Sequence, residues 1–259
     1  MMKNLLKELI GLSLLAMVLQ GCVSSSSPGI PKGAEPYTKA DTESNQSPTP
    51  TSDYGIKNAT FQSSSNIEID FSYSYRPKNG GPSRSLQNGE KLHSGDSYKI
   101  QFTPKEAGYV YIFQSDSGGQ LFRLFPTTDF SGADVRNNRN PVQAHRTYFV
   151  PGESRSFVLD KQVGNETIHF LVFNEQNPGL EAKSRALLQF RQQGNQEQVD
   201  VAQANISDYI DKGVEAQVRF DKDVPVKSDS EGIFDNVQGR RLECQGSNCV
   251  SSLKFRHLP

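Results

Sequence analysis

The chain has 259 residues, with 28 Lys and Arg against 29 Asp and Glu and a formal net charge of −1. Near-neutral, scattered charge leaves no electrostatic footprint for nucleic acid, so no nucleic-acid partner is expected. The 15 Phe and 9 Tyr, with no Trp, suffice for one good-sized core or a core plus a smaller lobe.

At the N-terminus Lys3 and Lys7 precede an apolar stretch from Leu9 to Leu19. It is about 11 residues long, where a membrane-spanning helix needs roughly 20. A positive start, a short apolar middle and small residues near its end predict a secretory signal peptide over residues 1–21. The ending Leu19-Gln20-Gly21-Cys22 resembles the bacterial lipoprotein lipobox. That resemblance implies a triacylated Cys22 after cleavage on its N-terminal side, and hence a membrane partner through a lipid anchor. Each buried methylene adds about 0.8 kcal/mol, so several chains hold where one would not. Val23 stands where an aspartate would signal inner-membrane retention, which implies the outer membrane, facing the periplasm. Loss of Lys3, Lys7 and Glu8 removes a net +1 and takes the charge from −1 to −2.

Residues 22–56 follow as a lipid-anchored linker. "SSSSPG", "GAEP" and "SNQSPTPTS" bury too little apolar surface to offset their ordering entropy, so this stretch is expected to be disordered. A tether of about 30 residues has a root-mean-square span of ~30 Å and a stretched reach of roughly 110 Å.

Residues 57–190 are expected to form a β-sandwich domain. "IEIDFSYSY" alternates Ile67, Ile69, Phe71, Tyr73 and Tyr75 with polar residues. "SYKIQF", "GYVYIF", "GQLFRLFP", "RTYFVP", "RSFVLD" and "TIHFLVF" follow, each short, rich in aromatic or β-branched residues, and bounded by Gly, Pro, Asp or Asn. "SDSGGQ" offers Gly118 and Gly119 for a hairpin turn. About seven such strands predict a mostly β, antiparallel, immunoglobulin-like sandwich. One helix is expected at "EAKSRALLQFRQQ", with Ala186, Leu187 and Phe190 on one face, capping an open end of the sandwich. Residues 191–259 are assigned to a C-terminal lobe.

Gly108 and Tyr109 in "GYVYIF", Leu124, Phe125 and Pro126 in "LFRLFP", Asn140 in the next loop, and Pro151 after "TYFV" carry a family likeness. Over roughly residues 90–178 the sequence resembles the bacterial domain-of-unknown-function family 4384 (DUF4384). The resemblance implies a β-sandwich accessory domain of envelope proteins and brings no active-site residue with it.

Motifs for chemistry are scarce. His93, His145, His169 and His257 are far apart in sequence and fit no metal spacing. "HSGDSY" groups His93, Ser94 and Asp96, but triad members meet through tertiary geometry, and Ser-Gly-Asp before a strand reads as a turn. His169 is expected on the polar side of its strand. "DVRNNRNPVQAHR" holds Arg136, Arg139, His145 and Arg146, a polar loop solvating its own charges or, alternatively, an anion site. "SDSGG" lacks the acidic ligands of a calcium loop. No catalytic residue, metal site or cofactor is expected.

Cys244 and Cys249 stand with four residues between them in "CQGSNC". In an oxidising compartment such a pair predicts a disulfide closing a terminal hairpin; a zinc site would have only His257 as a nearby further ligand. The expected function is a lipid-anchored, non-catalytic binding or assembly module for an envelope protein or glycan partner. The alternative is an envelope hydrolase whose site assembles only in three dimensions.

Overall fold

The computed structural model describes residues 66–126, 137–220 and 223–259. The expected signal peptide, Cys22, the linker, the first residues of the expected sandwich segment and Arg136 lie outside them. Strands come first in chain order: β1 (Ile67–Arg76), β2 (Arg84–Ser85), β3 (Lys91–His93), β4 (Ser97–Pro104), β5 (Tyr109–Ser115) and β6 (Leu121–Phe125). Then follow β7 (Tyr148–Val150), β8 (Phe157–Val158) and β9 (Gly164–Phe173). Two helices, α1 (Pro178–Gln192) and α2 (Gln196–Asp211), precede β10 (Gln217–Phe220), β11 (Arg240–Cys244) and β12 (Asn248–Leu258).

The strands form two facing sheets. The first runs β10-β11-β1-β4-β7, with β2 also on β1 and β8 also on β4; the second runs β3-β12-β9-β5-β6. Pairing is antiparallel except where β3 lies parallel to β12. The alternation in β1 does what its period requires. Ile69, Phe71, Tyr73 and Tyr75 enter a core shared with Ile112, Phe170 and Phe255 of the second sheet. Near its middle the Phe102 ring lies 5.2 Å from Phe125, 5.0 Å from Tyr148 and 5.4 Å from Phe170, edge-on or stacked. These are the arrangements that the ring quadrupole favours. The turn between β5 and β6 closes as expected, with Gly119 at φ 77° and Asp116 Oδ1 accepting from the Gln120 amide at 2.8 Å.

The helical segment corrects two expectations. "EAKSRALLQFRQQ" lies within α1, started by Pro178 after Asn177, whose side chain accepts from the Leu180 amide. Yet α1 does not cap an end of the sandwich, and α2 accompanies it. Leu180 and Leu187 of α1, with Val199, Ile206 and Ile210 of α2, pack on Tyr111, Phe113, Leu171 and Phe173. Those four point outward from β5 and β9, so the helices cover the outer face of the second sheet as a third layer. The reason lies in the strands, which are apolar on both faces.

The outer face of the first sheet is covered differently. Ser72, Ser74, Lys99 and Gln101 are all buried beneath a strap, residues 223–239. Ser74 Oγ donates to the Ile233 carbonyl, and Gln101 pairs with both the amide and the carbonyl of Lys227. Lys99 Nζ meets the Asp229 carboxylate and, at 3.1 Å, that of Glu231.

The C-terminal residues are built into the sandwich. β11 lies between β10 and β1, and β12 between β3 and β9. This places Cys244 and Cys249 in different sheets: Cys244 is opposite Ile67 and Cys249 opposite Val172. The two cysteines stand at disulfide distance, Cα to Cα 5.6 Å. They clip one sheet to the other rather than close a β-hairpin within one sheet.

Candidate functional site

The inner faces of three strands turn polar at one end of the sandwich. On β5, Gln114 continues the inward series Val110 and Ile112; on β9, Glu166 precedes Ile168 and Phe170; on β12, His257 follows Leu253 and Phe255. Register aligns them, since β9 pairs with β5 on one side and β12 on the other. Glu166 is 3% exposed and His257 1%.

These groups line a cavity of about 720 Å³. Tyr98, Leu124 and Phe157 give it an apolar wall, and the segment 154–162 around β8 runs along its rim. The Tyr98 and Phe157 rings stack at 5.1 Å. Such a mix of aromatic wall and few polar groups is the usual composition of a small-ligand site.

A polar chain runs along the floor. The Tyr98 hydroxyl, held protonated by burial, donates to Gln114 Oε1. That fixes the amide, so Gln114 Nε2 donates to Glu166 Oε2 at 2.9 Å. Glu166 Oε1 is 3.7 Å from His257 Nδ1, too long for a hydrogen bond. His257 Nδ1 is buried without a hydrogen-bond partner. Its other nitrogen, Nε2, lies 3.0 Å from Ser94 Oγ. Burial, followed by the charges of Asp116 and Asp160, pushes the Glu166 carboxyl up to about 7, against the pull of the Gln114 bond.

The carboxylates around Glu166 lack cationic partners among the described residues. Asp116 accepts from the Gln120 amide and the Gln162 side chain, and Asp160 from the Gln162 amide. The opposite wall is balanced. Glu231 is met by Lys99 and Ser156, while Arg76 donates to Ser83 and to the Glu231 carbonyl.

The residues singled out from sequence are scattered. His93, Ser94 and Asp96 form a turn as expected: the Asp96 carboxylate accepts from the His93 and Lys78 amides. Ser94 turns away to His257 of β12. His169 lies on the outer face of the second sheet, bonded to Ser252 at 2.9 Å and Ser115 at 3.3 Å, and burial lowers its pKa. His145 is exposed at φ 58°. Arg139 is exposed, and Arg146 bonds to Asn137 and Gln143 while lying over the Tyr148 ring. Both side chains that Arg146 bonds to belong to that same loop. Asn140 bonds both the amide and the carbonyl of Val110 at 3.0 and 2.8 Å, serving in place of a strand neighbour. His257 stands at the opposite end of β12 from Cys249, about 26 Å away along the strand.

Sequence reasoning missed Gln114, Glu166 and the role of His257. The signal was present: each sits two residues beyond an apolar inward position, where the alternation continues with a polar side chain.

Residues 91–175 match the model of the family described as Domain of unknown function (DUF4384). The chain carries a domain of that kind, spanning β3 to β9. Gln114 and Glu166 fall inside the matched segment; Arg76, Glu231 and His257 come from outside it. Neither a curated protein nor a solved structure matches the chain significantly.

Proposed function

We propose that this protein is a non-catalytic binding module of the bacterial cell envelope. It is held by acyl chains on Cys22 to the outer membrane, facing the periplasm, and its ligand or partner enters the cavity at the β8 end of the sandwich. The observation that carries this reading is that cavity: an aromatic wall facing a buried carboxylate, at the end of a rigid double sheet. The lipobox-like ending at Cys22 and the Ser/Pro-rich linker add reach, because a target some tens of Å off is met only if the tether spans the gap.

One contact favours the hydrolase instead. Ser94 Oγ, His257 Nε2 and Glu166 follow one another as nucleophile, base and carboxylate would. Two features put this second. The Ser94, Gly95 and Asp96 amides are all spent, on the carbonyls of Leu258, Leu159 and His93 at 2.9, 2.8 and 2.9 Å, which leaves none of them to stabilise an oxyanion. The Glu166 carboxylate also stands too far from Nδ1 to hold the ring.

A complementation assay with correctly localised variants separates the two. Val158→Trp, at an exposed rim position of the cavity, is expected to impair function by obstructing entry. Deleting about 25 residues between Ser24 and Pro50 is expected to impair it through lost reach, and Ser94→Ala to leave it intact. Loss of function in Ser94→Ala with normal Val158→Trp makes the protein a hydrolase. Palmitate labelling that survives Cys22→Ser removes the anchor from the reading.

A further inference from the structure

We infer that the cavity recognises a positively charged nitrogen group, an alkylammonium or guanidinium carried on an apolar stem. This deepens the proposed function and rests on it. The chemical sources are a free polyamine and the basic side chain of a partner peptide.

Three observations converge. The first is hydrogen-bond capacity. His257 Nδ1 is buried and unpartnered. It stands 3.7 Å from Glu166 Oε1, whose sister oxygen is already occupied by Gln114. Among the described residues nothing donates a hydrogen bond to that Oε1, and a carboxylate oxygen left open on a cavity wall suits a group carrying several N–H donors. An ammonium or a guanidinium is such a group; a carboxylate or phosphate would be repelled.

The second observation is charge. Facing Glu166 are Asp116 from the β5–β6 turn, Asp160 from the segment after β8, His257 from β12 and Tyr98 from β4. Arg76 and Arg155 also line the cavity, but the charges that act on Glu166 are those of Asp116 and Asp160, which raise its pKa. Uncompensated carboxylates around a partly enclosed space concentrate field and attract a cation. The third is the stacked pair Tyr98 and Phe157 on the wall, which offers apolar surface to a methylene stem and a ring face to a cation.

Proton linkage follows. A Glu166 titrating near 7 is protonated below that pH and must lose its proton to meet the cation, whereas the ligand stays charged throughout. Affinity therefore rises with pH and levels off above 7. For a single group of this pKa the ionised fraction grows about tenfold from pH 6 to pH 8, and the association constant with it.

The test is calorimetric titration of the full mature chain in nonionic detergent. The probes are N-acetyl-argininamide, its neutral isostere N-acetyl-citrullinamide, and putrescine. Both cations are expected to bind, the citrulline compound at least about tenfold more weakly, and the affinity of the cations to climb about tenfold between pH 6 and pH 8. Preference for argininamide over putrescine assigns a peptide side chain as the source, and the reverse a free amine. Glu166→Gln, which can still accept from Gln114, is expected to weaken binding and flatten the pH profile. Asp160→Asn, at an exposed position, is expected to weaken binding less, without disturbing the fold. Equal binding of the citrulline compound, a flat pH profile in the unaltered protein, or no binding of either cation at millimolar concentration overturns the inference. Those outcomes leave the binding-module reading standing or falling on the complementation assay, where Val158→Trp and Ser94→Ala decide it.

Discussion

The two outer faces of the sandwich are both covered, by opposite chemistries. On the second sheet, α1 and α2 lay Leu180, Leu187, Ile206 and Ile210 on Tyr111, Phe113, Leu171 and Phe173, a non-directional contact whose strength scales with area. On the first sheet the strap 223–239 meets Ser72, Ser74, Lys99 and Gln101 mainly through hydrogen bonds and ion pairs, with a small apolar cluster of Phe149, Ile233, Phe234 and Val237 beside them. Directional contacts tolerate the loss of a partner poorly, because the abandoned group stays buried and unpaired. The helical layer should therefore fail gradually and the strap abruptly.

Lys99→Met gives the largest expected effect. The Lys99 side chain is fully buried, and Asp229 beside it is equally inaccessible. Removing the ammonium leaves a buried carboxylate without its counter-charge, which costs about 3–5 kcal/mol. Adding Asp229→Asn should recover part of that, since a neutral amide needs no cation and its oxygen still accepts from the Ile233 amide as Asp229 Oδ1 does at 2.7 Å. Urea unfolding of the two variants measures the recovery. A double variant as unstable as the single one would mean that packing, not charge, holds the strap.

The same contrast explains what the sequence disclosed. Alternation in "IEIDFSYSY" placed Ile69, Phe71 and Tyr73 in the core, and the short aromatic segments became strands at their expected places. The polar partners Ser72 and Ser74 read only as a polar face, because nothing local records that a segment some 160 residues later will hydrogen-bond to them. α2 went unnoticed although Val199, Ala202, Ile206 and Ile210 recur at helical spacing, since its apolar stripe is thin and Gln-rich around it. The position of α1 depended on the outward residues Tyr111, Phe113, Leu171 and Phe173. Their strands read as continuous apolar runs, the mark of a sheet buried on both sides. At the candidate site Glu166 and His257 meet only because β12 inserts between β3 and β9, a long-range pairing that motif spacing does not express.

Ile206→Ala tests the helical layer. Ile206 is fully buried between α2 and the second sheet, so truncation leaves a cavity and costs about 2–5 kcal/mol. Native-state hydrogen exchange sharpens the comparison. Ile206→Ala should raise exchange in α1 and α2 while the Lys227 and Ile233 amides of the strap stay protected, and Lys99→Met should do the reverse. Uniform loss of protection in both variants would show that the covers unfold only with the sandwich.

The smallest effect should come from Ser72→Ala, and its size decides how the strap is held. Ser72 Oγ donates to the Gln238 carbonyl at 3.3 Å, near the end of the strap, whereas Ser74 donates to Ile233 close to the Asp229 ion pair. A long, part-buried bond should contribute less than a typical one, so Ser72→Ala is expected to cost about 0.5 kcal/mol or less. Ser74→Ala, which strands a buried carbonyl, should cost about 1–3 kcal/mol. Both changes remove one hydroxyl from neighbouring outward positions of β1, so strand propensity and volume cancel in the comparison. A strap fastened at one point near Asp229 predicts this inequality. Equal losses in urea unfolding would mean that the strap is held along its length, and the charge pair at Lys99 would then be one fastening among several.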